Sequence, residues 1–172
     1  MIQPQAKHAV EKEEISLIVL TRDLDEELFH RLLGQVLRRV RDFAAKYDTD
    51  GIPKVVARAV EWDFAQDKEN QEYFLVVALC GLEVIGHLLC HAVNYYGKQA
   101  IQIQQLEIDK GYGITLEQER RAFQQVIAWG KARGVTEFRA AAPSPAHVRR
   151  LRMLYGFESY LTTMKLTVRK AG

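Results

Sequence analysis

A chain of 172 residues with a formal net charge of +2 and 48% hydrophobic residues has enough apolar content for one sizeable core. That charge is too small to recruit nucleic acid or an anionic membrane by electrostatics alone, and no apolar run approaches the roughly 18 residues that a membrane span needs. Cys80 and Cys90, the two cysteines, stand outside any metal-ligand spacing, so the composition points to a reduced, cytoplasmic protein with no metal site.

Residues 1–13 are polar and unpatterned and are expected to be flexible, leaving 14–172 as one domain. Glu14 to Thr21 is a short β-rich run that suits a buried strand. Asp23, with Glu26 three positions on, has the pattern of a capping box. Leu24, Leu28, Leu32, Val36, Val40 and Phe43 then recur at helical spacing, which predicts an amphipathic helix from Leu24 to Lys46. Gly34 inside it costs about 1 kcal/mol relative to alanine, which implies close packing or a local bend. Pro53 marks the first turn of a second helix that runs through Phe64.

The period then changes from helix to strand. Glu72–Cys80 is a strong strand, Gly81 a turn, and Leu82–Val93 the second arm of a hairpin with a bulge at Gly86. Asn94–Lys98 reads as a turn. Ala100–Ile108 completes an antiparallel meander, with Leu106 and Ile108 brought into phase by a bulge. Thr115 and Gln118 cap the next helix, and Gly134 stops it. A strand over Val135–Ala141, a short helix over Pro145–Leu154 and a last strand over Glu158–Arg169 follow. The edge of that last strand is a candidate for pairing in a homodimer.

The order of these elements resembles the GNAT superfamily of N-acetyltransferases. Three stretches carry the resemblance: G-L-E-V-I-G-H-L at Gly81–Leu88, I-A-W-G-K-A-R-G-V at Ile127–Val135 and R-L-R-M-L-Y-G-F at Arg150–Phe157. It implies a mixed, mostly antiparallel central sheet flanked by helices and splayed after the fourth strand. The free backbone of Leu106 and Ile108 would hold the pantetheine arm of acetyl-CoA, the acyl donor. The loop that follows would offer amides to the pyrophosphate at a helix N-terminus, where unpaired N–H groups and the helix dipole favour an anion.

Two registers for that loop stay open. Lys110, Gly111, Tyr112, Gly113 and Ile114 resemble the family's phosphate loop. Counting back from Trp129 instead places it at Thr115–Arg121, where Arg120 and Arg121 would meet the phosphates and Glu117 and Glu119 would oppose them. For proton transfer, Glu107 is the first choice of base. His87 and His91, four apart and so on one face of a strand, are alternatives near neutral pKa. The family's tyrosine acid falls on Arg152, which cannot release a proton at neutral pH but suits a thiolate or a phosphate. Tyr155 is the substitute acid. The implied activity is acetyl transfer to a small-molecule or protein amine. The alternative is a non-catalytic binding or assembly domain of the same fold with a degenerate phosphate loop.

Overall fold

Long runs of β-branched and apolar residues between Tyr73 and Ile108 supply the centre of the fold, because such side chains pack well on a pleated surface. The computed structural model describes residues 14–47, 52–67, 70–95, 97–109, 111–140 and 145–157. The flexible segment expected over 1–13, Lys110 and the strand expected over Glu158–Arg169 lie outside these described residues. The chain falls into two compact units, Met1–Ala140 and Ala141–Gly172.

The first unit contains β1 (Ile15–Val19), α1 (Glu26–Tyr47), α2 (Ile52–Phe64), β2 (Tyr73–Cys80), β3 (Glu83–Tyr95), β4 (Lys98–Ile108), α3 (Leu116–Ala132) and β5 (Phe138–Ala140). The described part of the second unit holds α4 (Pro145–Tyr155). The sheet has the order β1-β2-β3-β4-β5. Every neighbouring pair is antiparallel except β4 and β5, which are parallel. This is the mixed, mostly antiparallel sheet that the sequence predicts.

Strand alternation sorts the side chains onto two faces. Leu75, Val77, Leu79, Val84 and Leu89 pack with Phe29, Leu32, Val36, Val40, Val60 and Phe64 of α1 and α2. The other face receives α3, where Trp129 stacks on Phe74 at 5.0 Å between ring centroids. A small hollow of about 30 Å³ remains between α3 and the sheet, room for one water at most. Buried Asp63 fixes the end of α2 to the start of β2 by accepting the N–H groups of Glu72 and Tyr73 at 2.8 and 2.9 Å. Burial pushes its carboxyl up, against the pull of those two bonds.

Local expectations need four adjustments. The first helix begins two residues later than its pattern suggests, at Glu26: Asp25, not Asp23, accepts the Leu28 N–H at 3.1 Å and so sits at the N-cap. Gly34 is not a close-packing residue, since an added Cβ would meet nothing within 4 Å. The hairpin bulge leaves Ile85 unmatched between the Ala78↔Gly86 and Leu79↔Val84 pairs, one residue from the expected Gly86. The strand expected over Val135–Ala141 starts later, at Phe138, and Ala141 lies outside the described residues. Among the described residues no helix is long and apolar enough to cross a membrane.

Candidate functional site

One edge of β4 sets the site. On one side β4 pairs with β3 along its whole length, from Lys98 to Ile108. On the other it pairs with β5 only at Ile101↔Phe138, Gln102↔Arg139 and Ile103↔Ala140. A register shift between Leu89↔Gln105 and Cys90↔Ile103 makes Gln104 the extra residue of a bulge. The Ile101 N–H points at Glu137 O of the β5 side, whereas the Asp109 N–H points at Ile85 O of β3, both at 2.9 Å. Peptide groups alternate direction along a strand, so Leu106 and Ile108 turn their N–H and C=O away from β3. The described end of β5 lies opposite Ile103, short of both. The bulge is legible in the sequence as the Gln104–Gln105 doublet, which breaks an I-Q-I-Q alternation.

The segment after β4 shows where α3 begins. Thr115 Oγ1 accepts from Gln118 N at 3.2 Å, and Thr115 N donates to Gln118 Oε1 at 2.8 Å. This capping box starts α3. Thr115–Arg121 is therefore the cap and opening turns of the helix rather than a loop, and Gly111–Ile114 is the loop. Gly113 takes φ +70°, a left-handed conformation that side chains other than glycine's resist. Tyr112 Oη donates to Glu83 Oε2 at 3.2 Å, which raises its pKa. Arg120 and Arg121 are exposed on α3, and Arg121 pairs with Glu117 one turn back at 3.2 Å. The first-turn amides of a helix have no partner in the backbone ladder; here the cap takes Gln118 N, which leaves the Leu116 and Glu117 N–H groups as the ones that neither the ladder nor the cap engages.

Beneath α1 lies a charged cluster. Glu107 receives Lys46 Nζ at 2.6 Å and lies 3.5 Å from Arg39. Arg39 holds Asp109 in two bonds of 2.9 Å, a bidentate geometry that strengthens both. That guanidinium keeps the Asp109 carboxyl below its ordinary range. His87 is buried and bonded through Nε2 to Gln105 Oε1 at 2.9 Å. Gln105 in turn donates to Val40 O at 3.3 Å, which turns its oxygen to the ring and gives His87 Nε2 the proton. His87 Nδ1 has no hydrogen-bond partner and lies 3.9 Å from Glu107 Oε2. Burial lowers the His87 pKa.

His91 has a different setting. Its ring stacks on Tyr73 with centroids 4.2 Å apart and planes 6° from parallel. Nε2 lies 3.5 Å from Glu72 Oε2, and Nδ1 lies 3.4 Å from the amide nitrogen of Gln104, the bulge residue. His91 is 22% exposed. Tyr73, Gln104, Lys46 and Asp109, which sequence reasoning did not single out, adjoin the candidate residues, as does Arg39 of α1. Their link to the histidines is a matter of strand register and helix packing.

In the second unit, Arg152 is exposed and Tyr155 half-buried near the end of α4, whose last turn closes with Gly156 N donating to Arg152 O at 3.1 Å. No group of three His, Cys, Asp or Glu suited to a metal occurs among the described residues.

No protein-family profile and no curated protein matches the chain. Solved structures do. A Clostridium acetobutylicum structure with acetyl-CoA is 15% identical, covers 90% of this chain and 96% of its own, and superposes with a TM-score of 0.62. An aminoglycoside acetyltransferase from an uncultured soil metagenomic sample, in complex with sisomicin, is 15% identical over 90% of this chain and 97% of its own, TM-score 0.55. A Trypanosoma brucei acetyltransferase is 13% identical over 90% of this chain and 100% of its own, TM-score 0.57. The fold is that of the GNAT acetyltransferases.

Proposed function

We propose that this protein binds acetyl-CoA along the free edge of β4 and transfers the acetyl group to an amine. The observation that carries the reading is the pair of backbone groups at Leu106 and Ile108, turned away from β3 beyond the last β5 pair. From Ile108 back to Gln104 the strand covers about 13 Å. A pantetheine arm is comparable to an extended peptide of about four residues, so it spans the same distance. Its phosphate end then meets the α3 N-terminus and its sulfur the bulge.

The residues present fit such a guest. An acyl thioester bound here supplies an activated acetyl group. Leu106 and Ile108 hydrogen-bond and orient the arm. The loop Gly111, Tyr112, Gly113 and Ile114 brings the backbone close to the phosphates, and the first-turn amides of α3 favour their charge. We assign Lys110, Arg120 and Arg121 to phosphate neutralisation. By resemblance to the family, Tyr155 is assigned as the acid that returns a proton to sulfur, and Arg152 as a cation for a phosphate or the thiolate. Glu107, the sequence's choice of proton acceptor, has its carboxylate engaged by Lys46 and Arg39. The aminoglycoside acetyltransferase among the similar structures makes polyamine-like small molecules the first acceptors to test.

Acetyl-CoA at a hundred times its Kd should stabilise the fold by about 2.7 kcal/mol, a rise of roughly 5–10 °C in Tm. Gly113→Ala should reduce the rise. No shift at millimolar acetyl-CoA removes this reading and leaves the non-catalytic binding domain.

A further inference from the structure

Three features stand out beyond the free edge of β4: an open groove along α1 lined by His30, Arg31, Gly34 and Arg38, the exposed Val55 and Trp62 of α2, and the Tyr73–His91–Gln104 cluster. The cluster holds a defined proton geometry.

We infer that His91 is the group that takes the proton of the attacking amine, with Glu72 and Tyr73 as its positioning residues. This rests on the acetyl-CoA reading above. Glu72 Oε2 only accepts at neutral pH, so the nitrogen it faces, His91 Nε2, carries the ring proton. Nδ1 then holds the lone pair, and it faces Gln104. Gln104 is the bulge residue beside Ile103, the last β4 residue in the described β4–β5 pairing, and the pantetheine ruler places the thioester there. Both contacts of the ring are long, 3.5 and 3.4 Å, as is common for catalytic hydrogen bonds before substrate arrives. The Gln104 amide occupies the position that an acceptor N–H takes up. The parallel Tyr73 ring fixes the plane of the imidazole, and Tyr73 is itself held in place by Asp63 through its backbone N–H.

The alternatives fail on geometry. Glu107 lies three residues further toward the loop, about 10 Å along the strand, with both oxygens near cations. His87 is only 2% exposed, and its Nε2 is committed to Gln105. His91 is open enough to be reached, directly or through one water.

The step balances. The amine lone pair forms the new C–N bond to the acyl carbon, and the C–S bond breaks with its electron pair leaving on sulfur. The amine proton passes to His91 Nδ1 and from there to solvent, while the sulfur gains a proton from an acid or from water. Products are the acetamide and free CoA.

The test has two arms. In protein labelled at histidine, the ring signals of His91, identified by their loss in His91→Asn, should move when acetyl-CoA is added, while those of His30 stay. His91→Asn should keep the acetyl-CoA thermal shift of the wild type. Toward a polyamine, an aminoglycoside or a lysine peptide, whichever is acetylated, it should lose about 10²–10⁴-fold in kcat with KM little changed. Glu107→Gln should lose far less, and Tyr73→Phe, which preserves the stack, should keep activity where Tyr73→Leu loses it. A thermal shift with unmoved His91 signals, or wild-type kcat in His91→Asn, overturns the assignment of His91 alone. Absence of any thermal shift overturns it together with the acetyl-CoA reading.

Discussion

Two helical glycines show how little residue type says without its surroundings. At Gly34 in α1 an added Cβ meets nothing within 4 Å. At Gly130 in α3 it would lie 2.8 Å from Phe138 Cζ and 3.0 Å from Ile101 Cγ1. Gly34→Ala should therefore stabilise the protein by about 0.5–1 kcal/mol through helix propensity and the loss of unfolded-state freedom. Gly130→Ala should destabilise it by about 1–3 kcal/mol, because α3 must move off β4 and β5. Urea titrations of the two variants check both signs. The sequence shows two glycines at helical positions, and reading Gly34 as a packing residue reverses the sign. The same limit applies to the histidines. His87 and His91 share a face by spacing, yet one is sealed under α1 beside Gln105 and the other is stacked on Tyr73 at the bulge.

At the scale of elements, β4 is the informative one. Its successive peptides face opposite sides: Glu107 directs its N–H to β3, and Ile108 directs its own away from β3. Proline removes that donor and is tolerated at edge positions whose N–H is unpaired in the ladder. Glu107→Pro should thus cost about 3 kcal/mol or more, and Ile108→Pro distinctly less, while Ile108→Pro should lose acetyl-CoA affinity. Equal stability losses would show that the free edge is paired. The start of α3 was legible in advance, because a capping box is local: Thr115 and Gln118 satisfy one another within a single turn. The segment between β4 and α3 was legible only as two registers, since glycines and charges occur in both; the cap shows that Thr115–Arg121 opens the helix. Asp25 in place of Asp23 is a smaller instance, where one of two neighbouring acids reaches the N3 amide.

For the whole molecule, the buried polar groups write a pH dependence into folding. The folded pKa of His87 is lowered by burial. Its contribution to stability is therefore complete above its unfolded pKa of about 6.5 and is lost as pH falls below that, by up to about 1.4 kcal/mol per pH unit. Asp109 is also lowered, by its bonds to Arg39, so its contribution is lost only below about pH 4. Asp63, raised by burial, acts with the opposite sign and favours folding as it protonates. Melting curves between pH 8 and pH 3 should show a first loss near pH 6.5 that His87→Gln abolishes, and a second that Asp109→Asn reduces.

The sequence by itself determined the elements of the first unit and their order, along with the helix cap at Thr115 and the family likeness. Each of these depends on residues close together in the chain: periodicity of 2 or 3.6, a turn glycine, a pair that caps one turn. Only the tertiary structure decided that β5 lies parallel to β4 with Ile103 opposite Ala140, that Lys46 and Arg39 engage Glu107, and that Gln104 turns toward His91. These depend on which strand lies beside which, and in what register, so residues 13 to 70 positions apart meet through packing that no local pattern encodes.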